Sequence, residues 1–367
     1  MIGTGNPTLV SVIGRTLDWR LKNGHTATPN TASASASVTV HGGAWVYSPE
    51  QLPYATERAH PYFTAPEGQT LAASLRSSAG RDAQLISFQM DSGWLITTWG
   101  GLVVMSGNDR MDQELSSGNG QRLYFQFPAP TLRDTVVALQ RNSSNYFHFL
   151  TEVLPSLMAW QSDLSDGDTI AVAAAPFASS LLRLAGFRQR AELLRQPAFI
   201  RATNVKLLRM LPVGYFNPEL LRELSRRVVR SVSPGIAGRD VVFLTRARQD
   251  RRNLTNESAV VEIVRQRFPD VDVVIPGELT VEDQVRRCHS ARIVIASHGA
   301  HAANLLWCNR LEHFVELGAK EDRTSIAMAG LLGAHTQHCL TQALTPSEHW
   351  SDHTCDLGAL KRILAAL

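Results

Sequence analysis

SHGAHAANLLW, residues 297–307, stands between two apolar runs, RIVIA (292–296) and HFVEL (313–317). A short run of Ile, Val and Ala bounded by polar residues reads as a buried strand. The small residues that follow, Gly299, Ala300, Ala302 and Ala303, read as the thin first turn of a helix. In an open parallel sheet, ligands bind beyond the carboxyl ends of the strands, where loops enter helix N-termini. Gly299 lets a ligand approach the backbone, and the free N–H groups of a helix start favour an anion. The stretch therefore reads as a diphosphate cradle; an ordinary strand-to-helix turn with a packing glycine is the alternative.

Working outward, the alternation continues on both sides. DVVFLT (240–245), VDVVI (271–275), RIVIAS (292–297) and HFVELG (313–318) read as strands. NESAVVEIVRQRF (256–268), TVEDQVRRCHS (280–290) and GAHAANLLW (299–307) read as the helices between them. Near-continuous apolar strands at this spacing predict a parallel sheet covered by helices on both faces, a Rossmann-like unit over 233–340. A helix near 217–231 connects it to what precedes. Further upstream, DTVVAL (134–139) and DTIAVAA (168–174) read as strands around an apolar helix, NYFHFLTEVLPSLMAW (145–160). Residues 36–130 carry short β-type runs, SVTVHGG, AQLISFQM, GWLITTWGGLVVM and RLYFQF, and read as an antiparallel appendage. TATPNTASAS (26–35) is a loosely packed lead-in.

The chain is long enough for two domains with separate cores and a cleft between them. The expected division is 1–215, an acceptor-side domain with a β-rich part (36–130) and an α/β part (131–215), and 216–345, the nucleotide-binding Rossmann-like domain. The C-terminal helix in 346–367, ending LGALKRILAAL, is expected to complete the first domain.

Composition narrows the function classes. With 44% hydrophobic and 19% charged residues, and no apolar run near the ~18 residues that span a bilayer, a transmembrane anchor is not expected. A net charge of +3 is too small to argue for nucleic acid. Cys288, Cys308, Cys339 and Cys355 form no CxxC pair, so neither a zinc site nor a disulfide framework is indicated. The first residues lack the basic-then-apolar order of a secretory signal, and a cytoplasmic setting is the expectation.

Three constellations carry chemistry. FLTRARQDRRNLTNE (243–257) runs from a strand end through Arg246, Arg248, Arg251 and Arg252 to Asn256, a candidate helix cap. Guanidinium groups there suit a nucleoside diphosphate, Arg246 above all, since it lies nearest the strand. In NYFHFLTEVLPSL (145–157), His148 and Glu152 are four apart on one helix face with Thr151 beside them, a candidate general base and its supporting carboxylate. A structural ion pair is the alternative. Glu316, at the end of HFVELG, is a candidate partner for ribose hydroxyls, or a core residue. The spacings His298/His301, His335/His338 and His349/His353 suit a helical metal site, but no carboxylate or Cys completes a set. DVD (270–272) and DGD (166–168) enter strands at the amino end and read as turns. GxGxxG after a strand, GxxxxGK[ST] and GxSxG are all absent, which removes support for nicotinamide, P-loop and hydrolase readings.

NYFHFLTEVLPSL, FLTRARQDRRNLTNE, GELTVEDQV (277–285) and ASHGAHAANLLWCNRLEHFVEL (296–317), in this order, resemble glycosyltransferase family 61, of the bacterial capsular or surface-polysaccharide type. The resemblance implies a GT-B architecture of two Rossmann-like domains. It implies inverting transfer of a sugar from a nucleotide donor, usually a UDP-sugar, to a glycan or polysaccharide hydroxyl. No cofactor and no essential metal are implied. Peripheral association with a membrane or with polysaccharide-assembly machinery is a further expectation for partners. The resemblance puts Arg246, Arg252 and Asn256 in the donor loop, Glu278 and Gln284 near it, and His298, Gly299, Ala300 and Asn304 at the diphosphate. Asn145, His148 and Glu152 fall on the acceptor side. Two features depart from the family: His301 and Ala302 replace the usual small or apolar pair after HGA, and CNRLEHFVEL lacks the usual Pro-Gly turn. A non-catalytic nucleotide-sugar or glycan-binding protein of the same fold is the main alternative function, and a nucleotide-sugar epimerase a third.

Overall fold

The computed structural model describes residues 38–45, 83–98, 101–106, 109–113, 131–139, 142–195, 198–208, 218–232, 238–318, 323–345 and 351–367. They form a mixed α/β structure with two sheets, each containing parallel strands. The lead-in at 26–35 and the run RLYFQF lie outside the described residues.

The second sheet carries the stretch quoted first. Its strands are β9 (Val241–Leu244), β10 (Asp272–Val274), β11 (Ile293–Ser297), β12 (His313–Gly318), β13 (His335–Ala343) and β14 (His353–Cys355). They lie in the order β10-β9-β11-β12-β13-β14, all parallel except β14. This is a doubly wound order, and it reverses direction between β9 and β11. The crevice for a ligand therefore opens at the carboxyl ends of those two strands. Alternation along β9 shows both faces covered: Phe243 joins one apolar cluster with Val260, Ile263 and Val264, while Val242 and Leu244 join another.

The first sheet holds β1 (Val38–Trp45), β2 (Ala83–Thr98), β3 (Gly101–Ser106), β4 (Asp109–Gln113), β5 (Thr131–Val137), β6 (Thr169–Ala173), β7 (Arg190–Leu194) and β8 (Ala198–Leu208). Its order is β4-β3-β2-β8-β5-β6-β7, with β1 also on β2. The β-rich segment is thus no appendage. β2 pairs along β8 from Ser87↔Leu208 to Thr97↔Ala198, so it is hydrogen-bonded into the same sheet. β5 and β8 bend together where Asp134 (φ 48°) and Asn204 (φ 50°) take left-handed backbone angles, and Asn204 Nδ2 donates to Asp134 Oδ1 at 2.6 Å. Asn and Asp are the side chains that tolerate this region best.

Helices fill the space between the sheets. Helix α1 (146–159) begins as an α turn (Tyr146–His148), passes through a π-helical segment (Phe149–Val153) and ends α-helical (Leu154–Ala159). Helix α2 is Ala178–Leu184, and α3 (Pro218–Val232) is the connector. Leu221, Leu224, Val228 and Val232 are buried at helical spacing on α3. These side chains belong to one apolar cluster that runs from Val136 and Ile170 through α1, α2 and α3 to Val294 and Phe314. Each half also keeps an apolar cluster of its own, one around Val137, Ala171 and Val205 and the other around Phe243, Ile295 and Val315. The helices between the sheets are shared, and burying them serves both halves at once.

The remaining helices are α4 (Glu257–Arg267), α5 (Val281–Cys288), α6 (Arg323–Leu331) and α7 (Leu357–Ala365). Helix α7 does not complete the first half. Leu360, Ile363 and Leu364 pack with Val260 and Val264 of α4 on the outer face of the second sheet. The segment 300–307 is a 3-10 helix (Ala300–Trp307) rather than an α-helix. None of the described helices is long and apolar enough to cross a membrane.

Candidate functional site

A pocket of about 800 Å³ opens where the doubly wound order predicts one, and both halves line it. The loops after β9 and β11 contribute Thr245, Arg246, Ala300 and His301; Gly277 and Thr280 come from the segment before α5. Tyr146 of α1 and Phe177 at the start of α2 close it from the first half. This size lies within the range of small-molecule sites, ~300–1,000 Å³.

Arg246 lines the pocket and lies against Gly299, which is not itself among the lining residues. A Cβ built on Gly299 would lie 2.1 Å from Arg246 Nη1 and 3.1 Å from His301 Cε1. The glycine is needed for this close approach, not for its backbone angles, since φ is 167°. Arg246 Nη2 donates to the Arg251 carbonyl at 3.1 Å, while its Nε is buried without a hydrogen-bond partner among the described residues. Burial lowers the Arg246 pKa, and Arg251 adds to this against the opposing pull of Asp352. A guanidinium that is partly desolvated and incompletely paired is suited to an anion.

The other arginines of the loop do not line the pocket. Arg248 (φ 65°) pairs with Glu278 at 2.6 Å, both exposed, so Glu278 sits at the surface rather than inside. Arg252 (φ 57°) offers its carbonyl to His353 Nε2 at 3.2 Å. Two left-handed non-glycine residues in one loop cost about 1–3 kcal/mol each, so the surroundings must impose the shape. Strand β14 does so. Asn253 N donates to Asp352 Oδ1 (2.8 Å), Thr255 N donates to the His353 carbonyl (2.9 Å), and His353 N donates to the Asn253 carbonyl (3.0 Å). Asn256 is drawn into the same clamp. Its Nδ2 donates to the Cys355 carbonyl at 2.9 Å and its Oδ1 accepts from Cys355 N at 3.0 Å, so its side chain makes no cap to α4. Asn256 ties the loop to the strand and is not among the residues that line the pocket.

Gln284 and Asn304 form a hydrogen-bonded chain across the halves. Asn304 Nδ2 donates to Gln284 Oε1 (2.9 Å), and Gln284 Nε2 donates to the Pro276 carbonyl (3.0 Å). Asn304 Oδ1 accepts from Tyr146 Oη (3.0 Å) and from Trp307 Nε1 (2.9 Å). Burial raises the Tyr146 pKa, against the lowering effect of its Trp307 hydrogen bond, so the phenol stays a donor. Gln284 lines the pocket, whereas Asn304 is fully buried behind it.

Neither His298, expected at the diphosphate, nor Glu316, expected at the ribose, is among the residues that line the pocket. Glu316 is 0% exposed; it accepts from His298 Nδ1 (3.1 Å), Ser325 Oγ (2.6 Å) and His338 Nδ1 (3.2 Å). Burial alone would raise its pKa, but the hydrogen bonds and charges of His298 and His338 hold it at about 2. It is a buried hub joining β11, β12 and β13. A fully buried carboxylate has no face left for a sugar.

On α1 the expected pair forms. His148 Nδ1 donates to Glu152 Oε1 at 2.9 Å, with side-chain exposure of 18% and 0%. The carboxylate fixes the Nδ1–H tautomer and leaves Nε2 to take a proton. Asn145 Oδ1 caps the helix by accepting from Phe147 N (2.9 Å), and Thr151 Oγ1 donates to the Phe147 carbonyl (2.9 Å). Asn145 and Thr151 thus serve the helix itself. His148 is not among the residues that line the pocket. The π-helical segment begins immediately after it, an irregularity frequent at functional sites.

Sequence reasoning missed Tyr146, Phe177 and His301 as pocket residues. The strand-end rule could have found Phe177, four residues past β6. The sequence offers His301 as a metal ligand and as a departure from the family after HGA, not as a pocket residue. Among the described residues, no group of three His, Cys, Asp or Glu could hold a metal ion. The four cysteines are buried free thiols.

The family model described as Glycosyltransferase 61 matches residues 146–315, from the first turn of α1 into β12. The match supports glycosyltransferase family 61 and suggests glycosyltransferase activity. No curated protein matches the chain.

Proposed function

From the match to glycosyltransferase family 61, we propose that the protein is an inverting GT-B glycosyltransferase that moves a sugar from a UDP-sugar to a hydroxyl of a glycan or polysaccharide. The observation that carries the reading is Arg246, seated against Gly299 and lining a pocket closed from the other half by Tyr146 and Phe177. In this mechanism the departing diphosphate gathers negative charge. Arg246 and the N–H groups at Gly299 and Ala300 offset it, a preorganised electrostatic contribution that costs no rearrangement during the reaction. His148 Nε2 removes the acceptor proton as the hydroxyl attacks the anomeric carbon from the face opposite the diphosphate. Glu152 stabilises the imidazolium so formed.

One observation favours a second reading, a non-catalytic sugar-nucleotide-binding protein: His148 does not line the pocket. Calorimetric titration with UDP, paired with turnover of UDP-sugars against glycan acceptors, separates the two. UDP binding that weakens in Arg246→Ala, together with transfer that collapses in His148→Ala, is the expected result. Binding without turnover on any acceptor supports the second reading, and absence of UDP binding removes both.

A further inference from the structure

We propose that His301 accepts a hydrogen bond from a hydroxyl of the bound sugar nucleotide and thereby helps select the donor. The inference rests on the sugar-nucleotide reading of the pocket. His301 lines the pocket, and its ring stands at Gly299 beside the Arg246 guanidinium. Its Nε2 is shielded from solvent and has no hydrogen-bond partner among the described residues, as is true of Arg246 Nε. Two such atoms, on residues that line one pocket, are costly unless something there pairs with them.

The state of the ring decides which partner fits. Burial first, then Arg246 and His298, push the His301 pKa down to about 3, so the imidazole is neutral at ordinary pH. A neutral imidazole carries its hydrogen on one nitrogen, and the nearby Ser297 backbone favours the nitrogen that faces it. Nε2, the nitrogen without a partner, then presents a lone pair. A lone pair repels a phosphate oxygen and calls for a donor. In a sugar nucleotide the ribose and the transferred sugar flank the diphosphate, and both carry hydroxyls; the base lies one unit further away. Arg246 takes the anion and His301 takes an adjacent hydroxyl. His301 also marks where this chain departs from the small or apolar residues usual after HGA in the family it resembles.

The test is calorimetric titration of the wild type, His301→Phe and His301→Gln with UDP, 2′,3′-dideoxyuridine diphosphate, UDP-glucose and UDP-xylose. Phe keeps a ring and removes the acceptor; Gln restores an acceptor near the Nε2 position. The expected result is that His301→Phe loses about tenfold for ligands carrying the hydroxyl and that His301→Gln recovers most of it. A loss for UDP but not for the dideoxy compound assigns the ribose. A loss confined to the UDP-sugars assigns the transferred sugar. The ratio of wild-type to His301→Phe affinity is expected to stay constant from pH 5.5 to 8. Equal affinities of wild type and His301→Phe for all four ligands overturn the inference while leaving the UDP reading intact. A ratio that grows toward acid pH marks a charged imidazole on phosphate and also overturns it. A wild type that binds none of the four removes the premise itself.

Discussion

Replacing Gly299 by Ala probes the seat of Arg246 with a single methyl group. The new Cβ would lie 2.1 Å from Arg246 Nη1 and 3.2 Å from its Cζ. Ordinary contact begins near 3.4 Å, so the guanidinium must retreat by about 1.3 Å. The group that gives way is the end of a flexible side chain, and φ of 167° is open to any residue. Folding therefore loses little, and the melting temperature should stay close to the wild type. Binding should not. Hydrogen bonds to a charged group contribute about 1.5–3 kcal/mol, so an unseated Arg246 weakens UDP affinity by about tenfold to a hundredfold. Calorimetry on Gly299→Ala, Arg246→Ala and the double variant measures this. If Gly299 acts through Arg246, the double variant binds no worse than Arg246→Ala alone. Wild-type UDP affinity in Gly299→Ala would refute the argument. A second, additive loss in the double variant would move the role of the glycine to its own backbone.

Other outcomes follow from the same geometry. His148→Ala should slow transfer about 100-fold or more with little change in UDP affinity, read by turnover and titration on the same preparation. Asn304→Ala should destabilise by about 2–4 kcal/mol in urea unfolding, because it leaves Tyr146 Oη, Trp307 Nε1 and Gln284 Oε1 with fewer partners in a buried site. His301 should weaken the fold as pH falls. Its native pKa of about 3 lies below the unfolded value near 6.5, so its contribution is complete above ~6.5 and is lost between ~6.5 and 3. At pH 5 that amounts to about 2 kcal/mol relative to pH 7.5. His301→Gln should show a correspondingly shallower fall in urea midpoint over this range, and an identical slope would count against a buried neutral imidazole.

Much of the second sheet was legible in the sequence because each parallel strand is covered on both faces and so reads as an unbroken apolar run. The position of SHGAHAANLLW at a carboxyl end followed from that, and Arg246 followed as the loop arginine nearest its strand. His148 and Glu152 were legible because four residues of helix bring side chains together without help from elsewhere. What failed was long-range. Glu316 reads as a strand-end carboxylate, and only the return of β13 brings His338 against it. Asn256 has the chemistry of a cap, but Cys355 satisfies its amide instead, from 99 residues away. The shared core was hidden for the same reason: apolar positions on α3 announce burial without saying which sheet they bury against.

The clamp of β14 on the arginine loop has a consequence for how the site comes into being. The residues that mould the loop, 352–355, follow it by about a hundred positions, so a growing chain completes the parallel strands β9 to β13 before the mould exists. Until then the loop lacks the hydrogen bonds from 352–355 that hold the stretch from Arg252 to Asn256. The loop that carries Arg246 is thus shaped only after the parallel strands beside it, and a chain shortened after residue 345 would present that loop without the contacts that shape it.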